Sequence, residues 1–597
     1  MQALILAAGL GNRMKPLTDT VPKPLLQLAG RSILERIVAA LLECGVEDIT
    51  VVTGYREQQV RHHLAAAFPL QRFGFVHNER YAETNNIHSV DLALAEMDIH
   101  DDLLLIESDL IFDAEVLRAL LDSPYKTAAL VDRFRRGMDG TVVTIEDDVI
   151  TSVIPPHLQG RDFDFTDKYK TLNIYRFERE FCAGPFKDLL HFYTEAFDRK
   201  SYYELILGAL IYLHREQING VCLSDELSRR WAEVDDPNDL WLAEFSFNES
   251  ARLPLVEGTM GGYWNLDIVD FAFIRNMYFP TASMHAEMKN ALGLLVENYG
   301  STQARLCDKL GYALELPPER VVVLNGASEY FPILRHRQRA RRALIPSPTF
   351  GEYSRTFHDA QLYNDHPPAP VDLEAIASHG AEVVVFVNPN NPTGSTCSTD
   401  AIFEFARQNT STDVVVDESF IDFAQQQSII TRLAGEALPN VVVLKSLSKA
   451  LGIPGVRLGY LYSANEDTIS ETRDAIPIWN INSLAEFFLE LFVKNRPAYA
   501  ASIAQTVEDR EDFRAELEGV PLVSKVFESG ANFVLVRCEL GGSQLQRLSE
   551  TLLARRIYVK NVSPKFPGDD SYLRLAVRSR PENNLLCQAL HDFGCDR

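Results

Sequence analysis

The sequence predicts an α/β protein made of two functional units, and three observations lead there. A chain of 597 residues exceeds what one hydrophobic core supports, so three to four lobes grouped in two units are expected. In the first half, short apolar runs alternate with amphipathic helical patterns, which predicts a parallel sheet. In the second half, the apolar runs Val321–Leu324, Val383–Val387 and 414–417 each lead into polar or turn-forming residues.

The first run, residues 4–6, ends in Ala7-Ala-Gly-Leu-Gly-Asn-Arg-Met-Lys-Pro-Leu-Thr18. Gly9 and Gly11 let the backbone approach a triphosphate, Arg13 adds charge, and Lys23 in Pro22-Lys-Pro-Leu25 can neutralise phosphates across the loop. The pattern lacks the third glycine and the acidic residue about twenty positions on that a dinucleotide site requires. Residues 33–44 form an amphipathic helical pattern closed by Gly45, and runs 49–53 and 73–77 supply two further strands. Asn85-Asn-Ile-His-Ser89 opens another helix. Run 103–106 then delivers Glu107-Ser-Asp109, which puts Asp109 at the carboxyl end of a central strand, where open α/β sheets bind ligands. A hard cation such as Mg²⁺ takes few protein ligands, all oxygens, and Glu233-Val-Asp-Asp-Pro-Asn-Asp239 offers a second carboxylate. Tyr175, Tyr202, Tyr203 and Glu204 make a candidate aromatic and acidic cage for an ammonium group, although an aromatic stripe of this kind also suits a core.

The alternation breaks over residues 244–262, where Ser, Asn and Pro appear, so the expected organisation is 1–243, a linker at 244–262, and 263–597. A smaller C-terminal lobe is expected from about residue 482. The second unit is organised around Ser446-Leu-Ser-Lys-Ala-Leu-Gly-Ile-Pro-Gly-Val-Arg-Leu-Gly-Tyr460. The amine of Lys449 can form a Schiff base with an aldehyde cofactor, and a neighbouring cation such as Arg457 favours its neutral, nucleophilic form. Ser446, Ser448 and Arg457 can hold a phosphate, and Asn325-Gly-Ala-Ser-Glu329 ahead of a helix offers backbone N–H groups to the same anion. Phe350 is suited to stack on a flat ring, and Asn388-Pro-Asn-Asn-Pro-Thr-Gly394 is a turn at a strand end. Asp417 is a carboxylate able to keep a pyridine nitrogen protonated, and Arg574 can take a substrate carboxylate bidentately.

This order of parts, from about Gly261 onward, resembles the fold-type I pyridoxal 5'-phosphate (PLP) enzymes of the class I/II aminotransferase family, threonine-phosphate decarboxylase and histidinol-phosphate aminotransferase among them. The resemblance implies a large α/β domain with a small α+β lobe, and makes Lys449 the cofactor-linked lysine, Asp417 the pyridinium partner and Asn391 a donor to the ring hydroxyl. It makes Phe350 the stacking ring, Ala327, Ser328, Ser446, Ser448 and Arg457 the phosphate cup, and Asn532 and Arg574 the carboxylate site. Ile453-Pro-Gly after the lysine, and Phe420 where aminotransferases usually carry tyrosine, lean towards the decarboxylase. Transamination stays open, because the bond that breaks is the one held perpendicular to the ring.

The glycine-rich loop followed by Pro22-Lys-Pro-Leu25, with Asn85-Asn-Ile-His-Ser89, resembles nucleotidyltransferases of the phosphocholine cytidylyltransferase kind. That likeness implies a Rossmann-like sheet, makes Gly9 and Gly11 substrate-binding, Arg13 and Lys23 catalytic, and pairs Asp235 with Asp109 on Mg²⁺. Together the halves imply an enzyme that handles CTP with a phosphorylated amino acid or an aminoalkyl phosphate or phosphonate. A transaminating second half, or a half that only binds ligand, are the alternatives. A homodimer is implied by the PLP family.

Composition agrees with an ordinary globular protein, 46% hydrophobic and 24% charged. A net charge of -25 argues against nucleic-acid or anionic-membrane partners, so phosphates must be met by local cations and amides. Eight cysteines without a Cys-x-x-Cys pair read as reduced thiols of a cytoplasmic protein. The opening Met1-Gln-Ala-Leu-Ile-Leu-Ala-Ala lacks a basic stretch and runs into a glycine-rich turn, so it reads as a buried strand.

Overall fold

A computed structural model describes residues 1–135, 137–160, 163–213, 216–338 and 341–595. The chain divides into two compact units, Met1–Asp267 and Ile268–Arg597. The division falls later than the expected linker. Residues 244–262 include the end of helix Pro237–Phe247 and the whole of helix Glu249–Thr259, both within the first unit. A capping box in which Asp236 and Asp239 satisfy each other's backbone N–H groups starts the first of these helices. Arg252 then ties the second back to the carbonyls of Phe245 and Ser246. Polar composition alone could not reveal those contacts.

The first unit is built on a nine-stranded sheet. Strands Phe73–His77, Asp48–Thr53, Gln2–Ala7 and Leu103–Glu107 lie side by side and parallel, as the alternation predicts. Beyond them Tyr169–Phe177 runs antiparallel, and the rest of the sheet is mixed. Strand Gln2–Ala7 is buried along its whole length, so its apolar sequence is explained by burial on both faces. Helix Ile33–Glu43 starts with a Ser32–Glu35 capping box and buries Ile33, Leu34, Ile37, Val38 and Leu41 against one face of the sheet. Helix Asn86–Glu96 packs on the other face.

The second unit holds a seven-stranded sheet ordered Val321–Leu324, Gly459–Ser463, Val441–Ser446, Asp413–Asp417, Val383–Val387, Ala343–Ser347 and Gln361–Asn364. Only Gly459–Ser463 runs antiparallel to its neighbours. A second, antiparallel sheet of Val523–Val526, Phe533–Cys538, Ser571–Ala576 and Lys560–Asn561 forms the small lobe. Its limit also differs from expectation. Phe488, Leu489, Leu491 and Phe492 of helix Ser483–Lys494 are buried in the core of the large sheet. Helix Arg496–Glu518 is the element that reaches the small lobe, where Phe513 and Leu517 pack with Val534 and Leu573. Among the described residues, no helix is long and apolar enough to cross a membrane.

Candidate active sites

In the first unit the loop after strand Gln2–Ala7 and the ends of the neighbouring strands enclose a cavity of about 310 Å³. Gly9, Gly11, Arg13, Lys23, Asp109 and Asp235 all line it, so the residues singled out from sequence converge there. Gly11 has φ +62, and a Cβ on it would meet Lys23 Cβ at 3.1 Å. The turn therefore demands glycine on both conformational and steric grounds.

Lys23 Nζ donates to Asp109 Oδ2 at 2.9 Å and to Asp235 Oδ1 at 2.8 Å. Arg13 reaches the other oxygen of Asp235 at 2.8 Å. Burial alone would lower the Lys23 ammonium, but the two carboxylates outweigh it and hold it above the usual lysine range. Against the upward push of burial, Lys23 and Arg13 keep Asp235 below the usual carboxylate range. Asp109 Oδ1 is buried with no hydrogen-bond partner. A hard cation fits that free oxygen, with Asp235 close on the same lysine.

The proposed cage dissolves in part. Tyr175 and Tyr203 are 2% and 0% exposed and meet edge-on at 5.7 Å in the core, where the aromatic stripe fills space between sheet and helices. Tyr202 is the tyrosine of the set that lines the cavity. Beside it lies an acidic group the sequence reading left unassigned. Glu107 accepts from Asn86 Nδ2 at 3.1 Å. Burial, then the charges of Asp109 and Glu204, push its carboxyl well above the usual range. Burial likewise raises Glu204, whose Oε2 has no partner. Asn78 and Tyr81 also line the cavity and were missed; the signal available was their place just past the end of strand Phe73–His77.

In the second unit, strand register gathers the candidates at one sheet edge. Val387, Asp417 and Leu444 stand abreast on adjacent parallel strands, so the turn at 388–394, Asp417 and the segment 446–449 leave the sheet together. Gly459 is opposite both Ser446 and Leu324, which brings Arg457 and the loop 325–328 to the same edge. Arg457 Nη2 donates to Ser328 Oγ at 2.9 Å. A Cβ on Gly326, at φ +72, would sit 2.5 Å from that guanidinium nitrogen, so a side chain there would strain the backbone and displace the Arg457 head from Ser328. Ala327 begins the short turn leading into helix Tyr330–Arg337.

Asp417 is held from two sides. Tyr353 donates to its Oδ2 at 2.9 Å, and Ser419 donates from its hydroxyl to Oδ1 at 2.6 Å. Ser419 Oγ in turn accepts from the backbone N–H of Ser446, at 3.1 Å, which locks the two strand ends together. Burial pushes Asp417 upward, opposed by these hydrogen bonds and by Lys449. Tyr353 and Ser419 were not assigned from sequence, because only the fold brings them to the carboxylate. Arg574 donates to Asn391 Oδ1 at 2.8 Å and to the Ala272 carbonyl. Burial, then the positive charges of Arg574 and Arg457, bring the Lys449 ammonium down to about 8. The sequence reading named Arg457 for this role, and Arg574 contributes more. Phe350 is 39% exposed, its ring 6.1 Å from Phe331.

Several buried polar atoms have no partner among the described residues: Ser448 Oγ, both side-chain polar atoms of Asn532, and Arg574 Nε. Natural proteins rarely leave such groups unsatisfied. Ser448 precedes the depressed Lys449 in the chain and Arg574 lies close enough for its charge to act on that lysine, a setting that with Asp417 and the Arg457–Ser328 pair fits a flat, phosphate-bearing aldehyde cofactor.

Comparison with known proteins agrees with this geometry. Residues 270–590 match the family described as aminotransferase class I and II, and residues 3–165 match the MobA-like NTP transferase domain. The chain is 32% identical over 608 aligned residues to the CMP-5'-(3-aminopropyl)phosphonate synthase of Streptomyces rubellomurinus, covering 99% of this chain and 95% of that protein. It is 30% identical over 367 residues to the L-serine phosphate decarboxylase of Sulfurospirillum multivorans, covering 58% of this chain and 93% of that one. A solved structure of a decarboxylase from Sulfurospirillum multivorans shares 25% identity with a TM-score of 0.50, over 58% of this chain and 92% of its own.

Proposed function

From the premise that the chain belongs to the aminotransferase class I and II family, with a MobA-like NTP transferase domain ahead of it, we propose a bifunctional enzyme. The first unit transfers CMP from CTP to an aminoalkyl phosphate or phosphonate. The second uses PLP to decarboxylate a phosphorylated or CMP-linked amino acid. The observation that carries this reading is the presence of both clustered sites in a chain that matches, over 99% of its length, a synthase whose name joins CMP to an aminoalkylphosphonate.

In the first unit, Gly9 and Gly11 give the triphosphate close access to the backbone, and Arg13 and Lys23 neutralise it. An acceptor oxygen displaces pyrophosphate from the α-phosphorus, which needs positioning and charge rather than a covalent enzyme link. Asp109 and Asp235 would hold Mg²⁺, which supplies further neutralisation of the phosphates. Glu107 and Tyr202, both of which line the cavity, are the groups available to the ammonium end of the acceptor.

In the second unit, Lys449 would carry the cofactor, with Asp417 at its ring nitrogen, Asn391 at its ring hydroxyl, and Ala327, Ser328, Ser446, Ser448 and Arg457 around its phosphate. Bound there, PLP supplies an electron sink for the bond broken at the substrate's α-carbon. Phe350 would cover the cofactor, and Arg574 and Asn532 would take the substrate carboxylate and so orient its α-carbon. An amine with a pKa of about 8 can both receive and return a proton near neutrality, so Lys449 suits delivery of a proton to the α-carbon once CO₂ has left.

Incubation of the purified protein with PLP, Mg²⁺, CTP and either 2-amino-4-phosphonobutyrate or O-phosphoserine tests the whole reading. Phosphorus NMR is expected to reveal a CMP-linked product, with CO₂ released in equal amount. Pyrophosphate release with keto acid in place of CO₂ would sink the decarboxylase assignment. Absence of CMP transfer to any such phosphate would sink the first.

A homodimer is supported by exposed apolar residues of the second unit. Leu294, Val296, Tyr299 and Ile478 are each more than 65% exposed, and Tyr299 stacks on Trp479 at 4.6 Å. Sedimentation at micromolar concentration is expected to give twice the chain mass, and a monomer there would refute the dimer. All eight cysteines are free, which supports a reducing, cytoplasmic setting.

A further inference from the structure

The small lobe concentrates positive charge at the second site. Lys560 and Arg574 are register partners on adjacent antiparallel strands. Directly opposed residues share one sheet face, where like charges destabilise. The turn Ser563–Lys565 that follows adds a third cation. Lys565 Nζ donates to the Thr349 carbonyl at 2.7 Å and lies 3.9 Å from where a Cβ on Gly351 would project. Both contacts are to the residues on either side of Phe350 in the chain, so the ammonium meets the backbone that carries the proposed stacking residue. The hydrogen bonds these cations make are to neutral groups: Lys565 to a carbonyl, Arg574 to the Asn391 amide and the Ala272 carbonyl. The carboxylate whose charge Arg574 does feel, Asp270, is already capped by the N–H groups of Ala272 and Phe273. If Arg574 takes the substrate's α-carboxylate, Lys565 and Lys560 remain without a counter-anion among the described residues.

We propose that Lys565, with Lys560 beside it, holds the phosphorus oxyanion at the far end of the amino acid, so that the substrate is gripped at both ends. The inference rests on reading the second unit as acting on a phosphorus-bearing amino acid, and adds the residue that recognises that group. Partial burial, then the charges of Arg574 and Lys560, hold the Lys565 ammonium below the usual lysine range, as expected where an anion is still to bind. The oxyanion is either a free phosphonate or phosphate, or the same group already linked to CMP.

The test uses holoenzyme of wild type, Lys565→Met and Lys565→Arg. Each is assayed for CO₂ release from 2-amino-4-phosphonobutyrate and from its CMP-linked form, and for competition by each compound and by the uncharged 2-aminohexanoate. Lys565→Met is expected to lose roughly ten- to a hundredfold in kcat/KM, mostly through KM, since a charge-assisted hydrogen bond is removed. Its binding preference for the phosphorus compound over 2-aminohexanoate should fall by the same factor, and Lys565→Arg should recover most of it. A loss confined to the free compound identifies the free oxyanion as the ligand, and one confined to the CMP-linked compound identifies the diester; either supports the site. An undiminished preference in both arms overturns it while leaving the decarboxylase reading intact. If wild type neither binds nor turns over either compound, the decarboxylase reading itself falls, and this inference with it.

Discussion

Replacing Lys449 by alanine is expected to abolish CO₂ release, by at least about a thousandfold, because in the proposed mechanism the nucleophile that carries the cofactor and the group that returns the proton are the same amine. Lys449 is the lysine that burial and two guanidiniums depress to about 8. No such depression is found for Lys445, four residues earlier, where the carboxylates of Asp422 and Glu418 outweigh burial and raise the ammonium. The variant should also lose the visible absorbance of bound PLP. CMP transfer belongs to a separate compact unit and should stay within about twofold of wild type. A variant that still releases CO₂ at more than a tenth of the wild-type rate would remove Lys449 from its role. The same depressed pKa gives a pH signature. The neutral fraction of an amine rises about tenfold per pH unit below its pKa and levels above it. Loading of PLP onto cofactor-free protein should therefore climb through pH 7 and flatten just above 8, where an ordinary lysine would continue climbing towards about 10.4.

Replacing Lys23 by methionine is expected to have the second largest effect, and on two observables at once. Its side chain is 13% exposed and is the shared cation of Asp109 and Asp235. Removing it takes positive charge from the triphosphate site and leaves two partly buried carboxylates facing a gap. CMP transfer should fall by roughly 10²- to 10³-fold, the scale for loss of one preorganised electrostatic group. Asp235 keeps Arg13, but Asp109 is left without its cation, which should also destabilise the first unit by about 3 kcal/mol, the low end of the penalty for breaking a buried pair from one side. Added Mg²⁺ should recover part of that stability, because a divalent cation can replace the lost charge between the two aspartates. A Lys23→Met protein with unchanged thermal unfolding and CMP transfer within about threefold of wild type would refute the assignment.

Chain-local chemistry was legible before any coordinates. The glycine at position 11, the lysine in Pro22-Lys-Pro-Leu25 and the Ser-x-Ser-Lys run ending at Lys449 each suggest a role through residue type and spacing; Gly11 and Lys23 line one cavity, and the run to Lys449 leaves its strand opposite Gly459. The parallel strands were legible for a related reason: period and apolarity are properties of a few consecutive residues. Tyr353 makes the opposite case. It stands three residues after Phe350, yet its bond to Asp417 joins residues 64 apart in sequence. Lys565 and Arg574 likewise belong to different elements, and their shared neighbourhood depends on sheet register. Tyr175 and Tyr203 misled because an aromatic stripe suits a cage and a core equally. Only burial separates the two.

By itself, then, the sequence determined the two unit types and the order of their parts and named the candidate reacting groups, because those are written in local pattern and side-chain chemistry. The tertiary structure decided where the units divide, how far the small lobe extends, which carboxylates share Lys23, and which cations depress Lys449. Those are matters of burial and charge between distant residues, and they take a value only after the strands have found their register.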